Sequence, residues 1–393
     1  MFQEGERMAK SFDEINSKIK DGKVVVVTAE EFKDLVEQKG VSQAAREVDV
    51  VTTATFSPMC SSGAFINFGH SDPPIRMSKI WLNDVPAYGG LAAVDTYIGA
   101  TELSETRGFE YGGAHVIQDL IDGKKVKLRA ESYGTDCYPR KEITTYITLN
   151  DLNQAYLYNP RNVYQNYNAA TNSSDRMLHT YMGTLLPQYG NVTYCTSGEL
   201  SPLLNDPMFR TIGIGTRIFL GGARGYVAWE GTQFIRNREV IRDGVVQYSG
   251  ATLAVIGDMR DMDSRFVRAA SFEKYGTTLF VGIGIPIPVL DEDMAGFLSV
   301  RNRDIYTQVV DYGVPERSKP VLRKVSYQEL RSGSIELNGR KVLTAPLTSL
   351  RKSREIAQLL KDMIYQKKFF LQEPIQKLPE EGRYNPLKET EVE

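Results

Sequence analysis

The chain has few of the residues that usually announce a chemistry. Three cysteines in 393 residues are a low and odd number, which argues against a disulfide-stapled secreted fold. The three histidines, His70, His115 and His179, are scattered, and no two histidines or cysteines fall at ligand spacing, so no metal centre is expected from the pattern. Neither sign of charge is in excess: 47 Lys and Arg against 49 Asp and Glu give a net charge of −2. No overall field therefore recruits nucleic acid or an anionic membrane. No apolar run approaches the roughly 18–20 residues of a membrane span, and Met1–Met8 is too charged for a secretory signal. The expected compartment is the cytoplasm, where the sequons at Asn172 and Asn191 carry no meaning. Walker loops, three-glycine dinucleotide fingerprints, Gly-x-Ser-x-Gly elbows and cluster-binding cysteine runs are all missing.

What is present is an ordinary globular composition, 41% hydrophobic and 24% charged. The length suits two or three average domains, or one large domain with an appendage. Val24–Val27 is a β-branched run of the kind covered on both faces. Thr28-Ala-Glu-Glu31 follows as a capping box, leading into Phe32, Leu35 and Val36 on one helical face and a stop at Gly40. Asp49–Thr55 reads as a second buried strand. This β-α-β rhythm predicts an α/β fold with mixed sheets and flanking helices.

Further on, His115–Asp122 predicts a short helix and Lys125–Ala130 a strand. Residues 155–175, rich in Tyr and Asn, read as a long surface loop. Asp243-Gly244 and Asn338-Gly339 signal hairpins, Thr252–Ile256 and Thr278–Ile285 strands, and Leu350–Ile364 a helix. The expected division is a large catalytic body over 1–310, a small α+β segment over 311–370 packed on it, and an extended tail over 371–393. A homo-oligomer is left open.

Each cysteine follows an apolar run and sits among small or turn-forming residues, where a sulfur can face a ligand. Cys60 precedes Ser61-Ser62-Gly63, whose N–H groups would lower its pKa if they pointed at the sulfur. Cys137 has Asp136 beside it, which raises a thiol pKa, and Arg140 three residues on, which lowers it. Cys195 has no nearby cation. A metal set assembled from Cys60, His70 and Cys137 stays open. Two glycine segments, Gly213–Gly225 and Val281–Pro288, could bring backbone N–H groups to an anion, or could be tight turns and close strand packing. Arg217 and Arg224 make the first the better candidate for gripping a carboxylate.

Several of these segments, taken in order, resemble the homocysteine-biosynthesis family, the L-aspartate semialdehyde sulfurtransferases of anaerobic archaea and bacteria. They are Phe56–Gly63, Ala87–Asp95, Gly99–Glu102, Gly113–Val116, Tyr133–Arg140, Thr196–Pro207 and Ile214–Gly222. The resemblance runs from the N-terminus to about residue 370. It implies conversion of aspartate semialdehyde and sulfide-derived sulfur into homocysteine, with Cys137 as persulfide carrier and Cys60 as its redox or resolving partner. It also implies electrons from a separate ferredoxin-like iron–sulfur protein, with no cofactor bound by this chain. Cys195 matches no functional position of the family. Arg140 or Arg217 is the expected carboxylate anchor, and His115 or Asp136 the expected proton carrier. A disulfide between Cys60 and Cys137, reopened by the reductant, would complete the cycle. Two competing readings are sulfur transfer to a different small aldehyde or keto acid, and a non-catalytic module binding a nucleotide or acyl ligand.

Overall fold

A computed structural model describes residues 9–240, 246–382, 385 and 387, as backbone only over 237–249. The fold is mixed α/β. Helix α1 (Phe12–Asp21) leads to strand β1 (Val26–Thr28). Thr28 then caps helix α2 (Ala29–Lys39) in the reciprocal box with Glu31 that the sequence predicts. Strand β2 (Val50–Pro58) returns parallel to β1, with Val26 opposite Val50. Every residue of β2 from Val50 to Ser57 is buried, as its unbroken β-branched run requires. Its other edge pairs antiparallel along its whole length with the strand Gly276–Pro288.

These three strands open a ten-stranded sheet that continues through 217–220, 223–230, 253–258, 154–162, β3 (Gly63–Asn67) and 95–99. One apolar core lies between this sheet and helices α1, α2 and Leu350–Tyr365. A second fills the space under helix Gly113–Ile121 and a four-stranded antiparallel sheet built from residues 79–147.

The glycines of Val281–Pro288 have a packing role. A Cβ on Gly282 would stand 2.7 Å from Ile356 Cδ1, and one on Gly284 would stand 3.1–3.3 Å from Ile356, Leu360 and Phe219. Their missing side chains let helix Leu350–Tyr365 lie directly on the sheet. Gly221 and Gly222, from the other glycine segment, take positive φ at the turn between strands 217–220 and 223–230.

A six-stranded sheet mixes residues 169–171 and 191–194 with 306–311, 321–326, 334–337 and 340–346. Residues 311–370 thus give strands to a sheet shared with residues 169–194, and a helix to the main core. Asn338-Gly339 turns the expected hairpin. Asp243-Gly244 lies outside the described residues, although the strands 237–240 and 246–249 on either side pair antiparallel. The tail runs along the body, with Gln376–Lys377 paired to Gly213–Ile214.

One expectation is corrected. Residues 155–175 are not a loop: Gln154–Asn162 is a strand of the large sheet, and Ala169–Thr171 is a fully buried strand of the six-stranded one. Ala155, Leu157 and Asn159 face inward with polar or aromatic residues between them. That is a period of two, obscured because one inward position is an asparagine. Among the described residues no helix is long and apolar enough to cross a membrane.

Close seating of the 350–365 helix makes a prediction. Gly284→Val should lower stability by about 1–3 kcal/mol through overpacking, read as an earlier urea midpoint at unchanged slope. An unmoved midpoint would mean the helix does not rest on this glycine.

Candidate active site

Cys60 sits where β2 gives way to β3. The chain turns over residues 59–62, closed by the Ser62 N–H donating to the Met59 carbonyl at 3.0 Å. The Met59 N–H donates to Leu279 O and the Ala100 N–H to Ser62 O, both at 2.8 Å, so the turn is fastened on two sides. Thr278 Oγ1 donates to Cys60 Sγ at 3.3 Å, and Tyr275 lines the same cavity as that sulfur. Behind the turn, buried Asn159 accepts at Oδ1 from the Ser61 hydroxyl and from the Arg161 N–H, each at 2.9 Å. Its Nδ2 donates to Ser62 Oγ at 2.8 Å. The Ser61 hydroxyl is also 2.9 Å from the Arg161 carbonyl.

The half-buried thiol of Cys60 lines a cavity of about 350 Å³ with Arg161, Tyr164, Tyr167, Tyr181, Cys195 and Tyr275 among its walls. A larger cleft of about 990 Å³ adjoins it, sharing Arg161, the same four tyrosines and Gln233. Residues 306–312 of the six-stranded sheet form the opposite wall of that cleft. Arg161, Arg317, Lys319 and Lys324 line these two spaces, and no Asp or Glu is found among their described lining residues.

The tyrosines form a connected group. Tyr167 OH donates to Tyr181 OH at 3.0 Å, and Tyr181 and Tyr312 share a 2.6 Å hydrogen bond. Burial first, then mutual repulsion of their ionised forms, pushes the Tyr167 and Tyr312 hydroxyls far above the usual phenol range. Burial likewise pushes Tyr164 up to about 12. Tyr164, Tyr167 and Tyr312 therefore stay protonated at neutral pH.

The cavity brings Cys60 together with Cys195, the cysteine to which the sequence assigns no role. Cys195 follows strand Asn191–Tyr194 and contacts Thr348 Oγ1 at 3.7 Å. Burial pushes its thiol up to about 11, against the lowering effect of hydrogen bonds from Thr348 and Ser57.

Cys137 lies elsewhere. With Asp136 it forms the exposed tip of a turn closed by reciprocal backbone hydrogen bonds between Thr135 and Tyr138, both 3.0 Å. Tyr138 stacks on His70, and the Arg140 N–H donates to Pro74 O at 3.3 Å. These anchors follow β3 in the chain, whereas Cys60 precedes it, and the five residues of β3 span about 13 Å. Cys137 lines neither the Cys60 cavity nor the adjoining cleft.

Arg140, Asp136, His115 and Arg217 line neither the Cys60 cavity nor the adjoining cleft. His115 accepts the Gly112 N–H at Nδ1, capping helix Gly113–Ile121, and stacks on Tyr111. Burial lowers its pKa, which keeps it neutral as that acceptor role requires. Arg217 donates to the Phe370 carbonyl at 3.1 Å. Among the described residues no three His, Cys, Asp or Glu cluster closely enough to hold a metal ion, so Cys60, His70 and Cys137 are not assembled as one set.

Sequence reasoning missed Arg161, Tyr275 and the tyrosines of 164–181. The signal was the strand hidden in 154–162, which carries Arg161 to the Cys60 turn.

Different surroundings predict different thiol reactivities. At neutral pH iodoacetamide should label exposed Cys137 readily and Cys195 hardly at all. Labelling of Cys195, followed by mass spectrometry of its peptide, should speed up about tenfold per pH unit to about pH 10. Equal labelling of Cys195 and Cys137 at neutral pH would contradict the buried, neutral thiol.

Comparison with known proteins bears on the chemistry. A family model described as homocysteine biosynthesis enzyme, sulfur-incorporation, matches residues 24–371. The chain is 56% identical over 383 residues to the L-aspartate semialdehyde sulfurtransferase of Methanosarcina acetivorans, covering 98% of this chain and 75% of the relative. It is 52% identical over 384 residues to the L-aspartate semialdehyde sulfurtransferase of Methanocaldococcus jannaschii, covering 94% of this chain and 73% of the relative. A protein of Methanothermobacter thermautotrophicus with no assigned function is 30% identical over 84% of this chain and 74% of its own length. No solved structure matches. A model match over most of the chain and identity above one half to two curated enzymes lead to one conclusion: the chain belongs to the family of homocysteine-biosynthesis enzymes that incorporate sulfur.

Proposed function

We propose that this enzyme forms L-homocysteine from L-aspartate semialdehyde, with sulfur carried as a persulfide on Cys137 and Cys60 as its thiol partner. The observation that carries the reading is a thiol, Cys60, in a cavity of about 350 Å³ walled by one guanidinium and several protonated tyrosines. The names of the two relatives most fully matched above supply the substrate. The exposed turn of Cys137 suits loading from solvent, and the enclosed position of Cys60 suits chemistry on a reactive aldehyde.

Atoms and electrons balance as follows. The terminal sulfur of the Cys137 persulfide bonds to the aldehyde carbon, and Cys60 attacks the inner sulfur, breaking the persulfide bond. The products are a Cys60–Cys137 disulfide, a thioaldehyde and water made from the aldehyde oxygen and the two thiol protons. Two electrons and two protons reduce the thioaldehyde to the thiol, and an external iron–sulfur protein is the proposed source. Sulfide then opens the disulfide, leaving its sulfur as the next persulfide on Cys137. Opening with sulfide rather than with the reductant keeps the external demand at two electrons per turnover. The transfer requires the 132–141 loop to meet the Cys60 cavity, through loop movement or between two copies.

The lack of a carboxylate in the described lining favours a second reading, in which the accepted aldehyde is an acid without an amino group. Comparing aspartate semialdehyde with succinate semialdehyde, each with sulfide and reductant, separates the two.

Replacing Cys137 by Ser should abolish cyanide-releasable sulfur and homocysteine formation together. Retention of either overturns its role as carrier. Cys60→Ser should also abolish homocysteine formation, and a mixture of the two variants regains activity only if sulfur crosses between copies.

A further inference from the structure

We infer that Arg161 receives the carboxylate of the substrate beside Cys60 and so selects carboxylate-bearing aldehydes. The inference rests on the reading of the Cys60 cavity as the substrate site. Three features of Arg161 carry it. First, its backbone is fixed to the Cys60 turn, because Asn159 Oδ1 accepts from both the Arg161 N–H and the Ser61 hydroxyl, and Ser61 also reaches the Arg161 carbonyl. The Arg161 backbone, from which the guanidinium extends, therefore has a set position relative to the Cys60 turn. Second, Nη1 donates to Gln233 Oε1, while Nε is buried with no hydrogen-bond partner. A buried donor without an acceptor costs about 1–3 kcal/mol, so a shift of the side chain that brings that edge to a ligand acceptor is favoured. Third, Arg161 is the one Lys or Arg among the described residues lining the Cys60 cavity, and no acidic side chain there neutralises it.

The ligand class follows from guanidinium geometry. With Nη1 held by Gln233, the edge that carries Nε keeps the parallel donors that match a carboxylate once the side chain turns towards the ligand. A carboxylate seated there places a short aldehyde chain within a cavity near the lower end of the small-molecule range, about 300 Å³. Neither arginine favoured from sequence competes for this role: Arg217, although its Nε is also buried without a partner, lines neither the Cys60 cavity nor the adjoining cleft, and nor does Arg140.

Two measurements test this on the full-length protein. In steady state, Arg161→Gln should raise KM for aspartate semialdehyde about 10- to 100-fold. Independently of any turnover, the charge of Arg161 should favour alkylation of Cys60 by the anion iodoacetate over neutral iodoacetamide. The ratio of the two rates at Cys60 should fall about five- to tenfold in Arg161→Gln and be retained in Arg161→Lys, which keeps the charge but loses the fork. Should Arg161→Gln fail to fold, Arg161→Lys should still raise KM, and in the wild type propionate should slow alkylation of Cys60 by iodoacetamide more than propionamide does. Unchanged KM in a folded variant, an unchanged rate ratio, or equal protection by propionate and propionamide overturns the inference. If the wild type forms no homocysteine, the functional reading fails, while the alkylation ratio still reports on Arg161.

Discussion

One buried amide, that of Asn159, holds the two halves of the site together. It is 1% exposed, so water cannot stand in for its partners. Its oxygen takes the Ser61 hydroxyl and the Arg161 N–H, and its nitrogen serves Ser62. Ser61 and Ser62 belong to the turn that carries Cys60, and Arg161 belongs to the strand that crosses behind it. The register of β3 against 154–162, with Gly63 opposite Tyr158, brings the amide to this spot. A one-residue slip would turn Asn159 to the other face and release both the turn and the guanidinium. Thiol and cation are thus coupled through sheet register rather than through direct contact.

The electrostatics of the cleft follow from what its walls omit. Its described lining includes arginines, lysines and tyrosines but no carboxylate, in a chain with a net charge of −2. Burial holds the tyrosine hydroxyls protonated, so they donate without adding charge. Arg161 is the one Lys or Arg among the described residues lining the smaller cavity. The same burial keeps Cys195 a neutral thiol. Two cysteines of one cavity therefore differ in what they can do. Both accept a hydroxyl hydrogen bond, Cys60 from Thr278 and Cys195 from Thr348, and it is burial of the Cys195 thiol that holds it protonated.

Much of the fold was legible because local signals agreed with burial. The capping box at Thr28, the β-branched runs of β1 and β2, the Asn338-Gly339 turn and the apolar stripe of the 350–365 helix all name their elements. The glycines at 282 and 284 were ambiguous because close packing and anion binding use the same lack of a side chain, and only the position of Ile356 and Leu360 decides between them. Residues 155–175 misled for a different reason. An inward asparagine breaks the hydrophobic alternation of a strand, and Asn159 is inward because it bridges the site. The residue that hid the strand is the one that organises the chemistry. Arg161 was therefore out of reach of pattern reading, whereas Cys60, at the end of a plainly readable strand, was not.

The separation of Cys60 from Cys137 makes physical sense on the proposed reading. A thiol that must collect sulfur needs access to solvent, and Cys137 has it at the tip of a short turn. A carbon that passes through a thioaldehyde needs the opposite, since such a species in open water hydrolyses before it can be reduced. No single cysteine environment satisfies both demands. Two thiols in different surroundings do, provided that the loop carrying one can reach the cavity holding the other. The Thr135–Tyr138 turn is small and exposed at Cys137, and Tyr138 stacks on His70. Loading and delivery then differ by the release of one ring contact and the Arg140 backbone bond, or by the approach of a second copy, while the rigid part of the site stays in place.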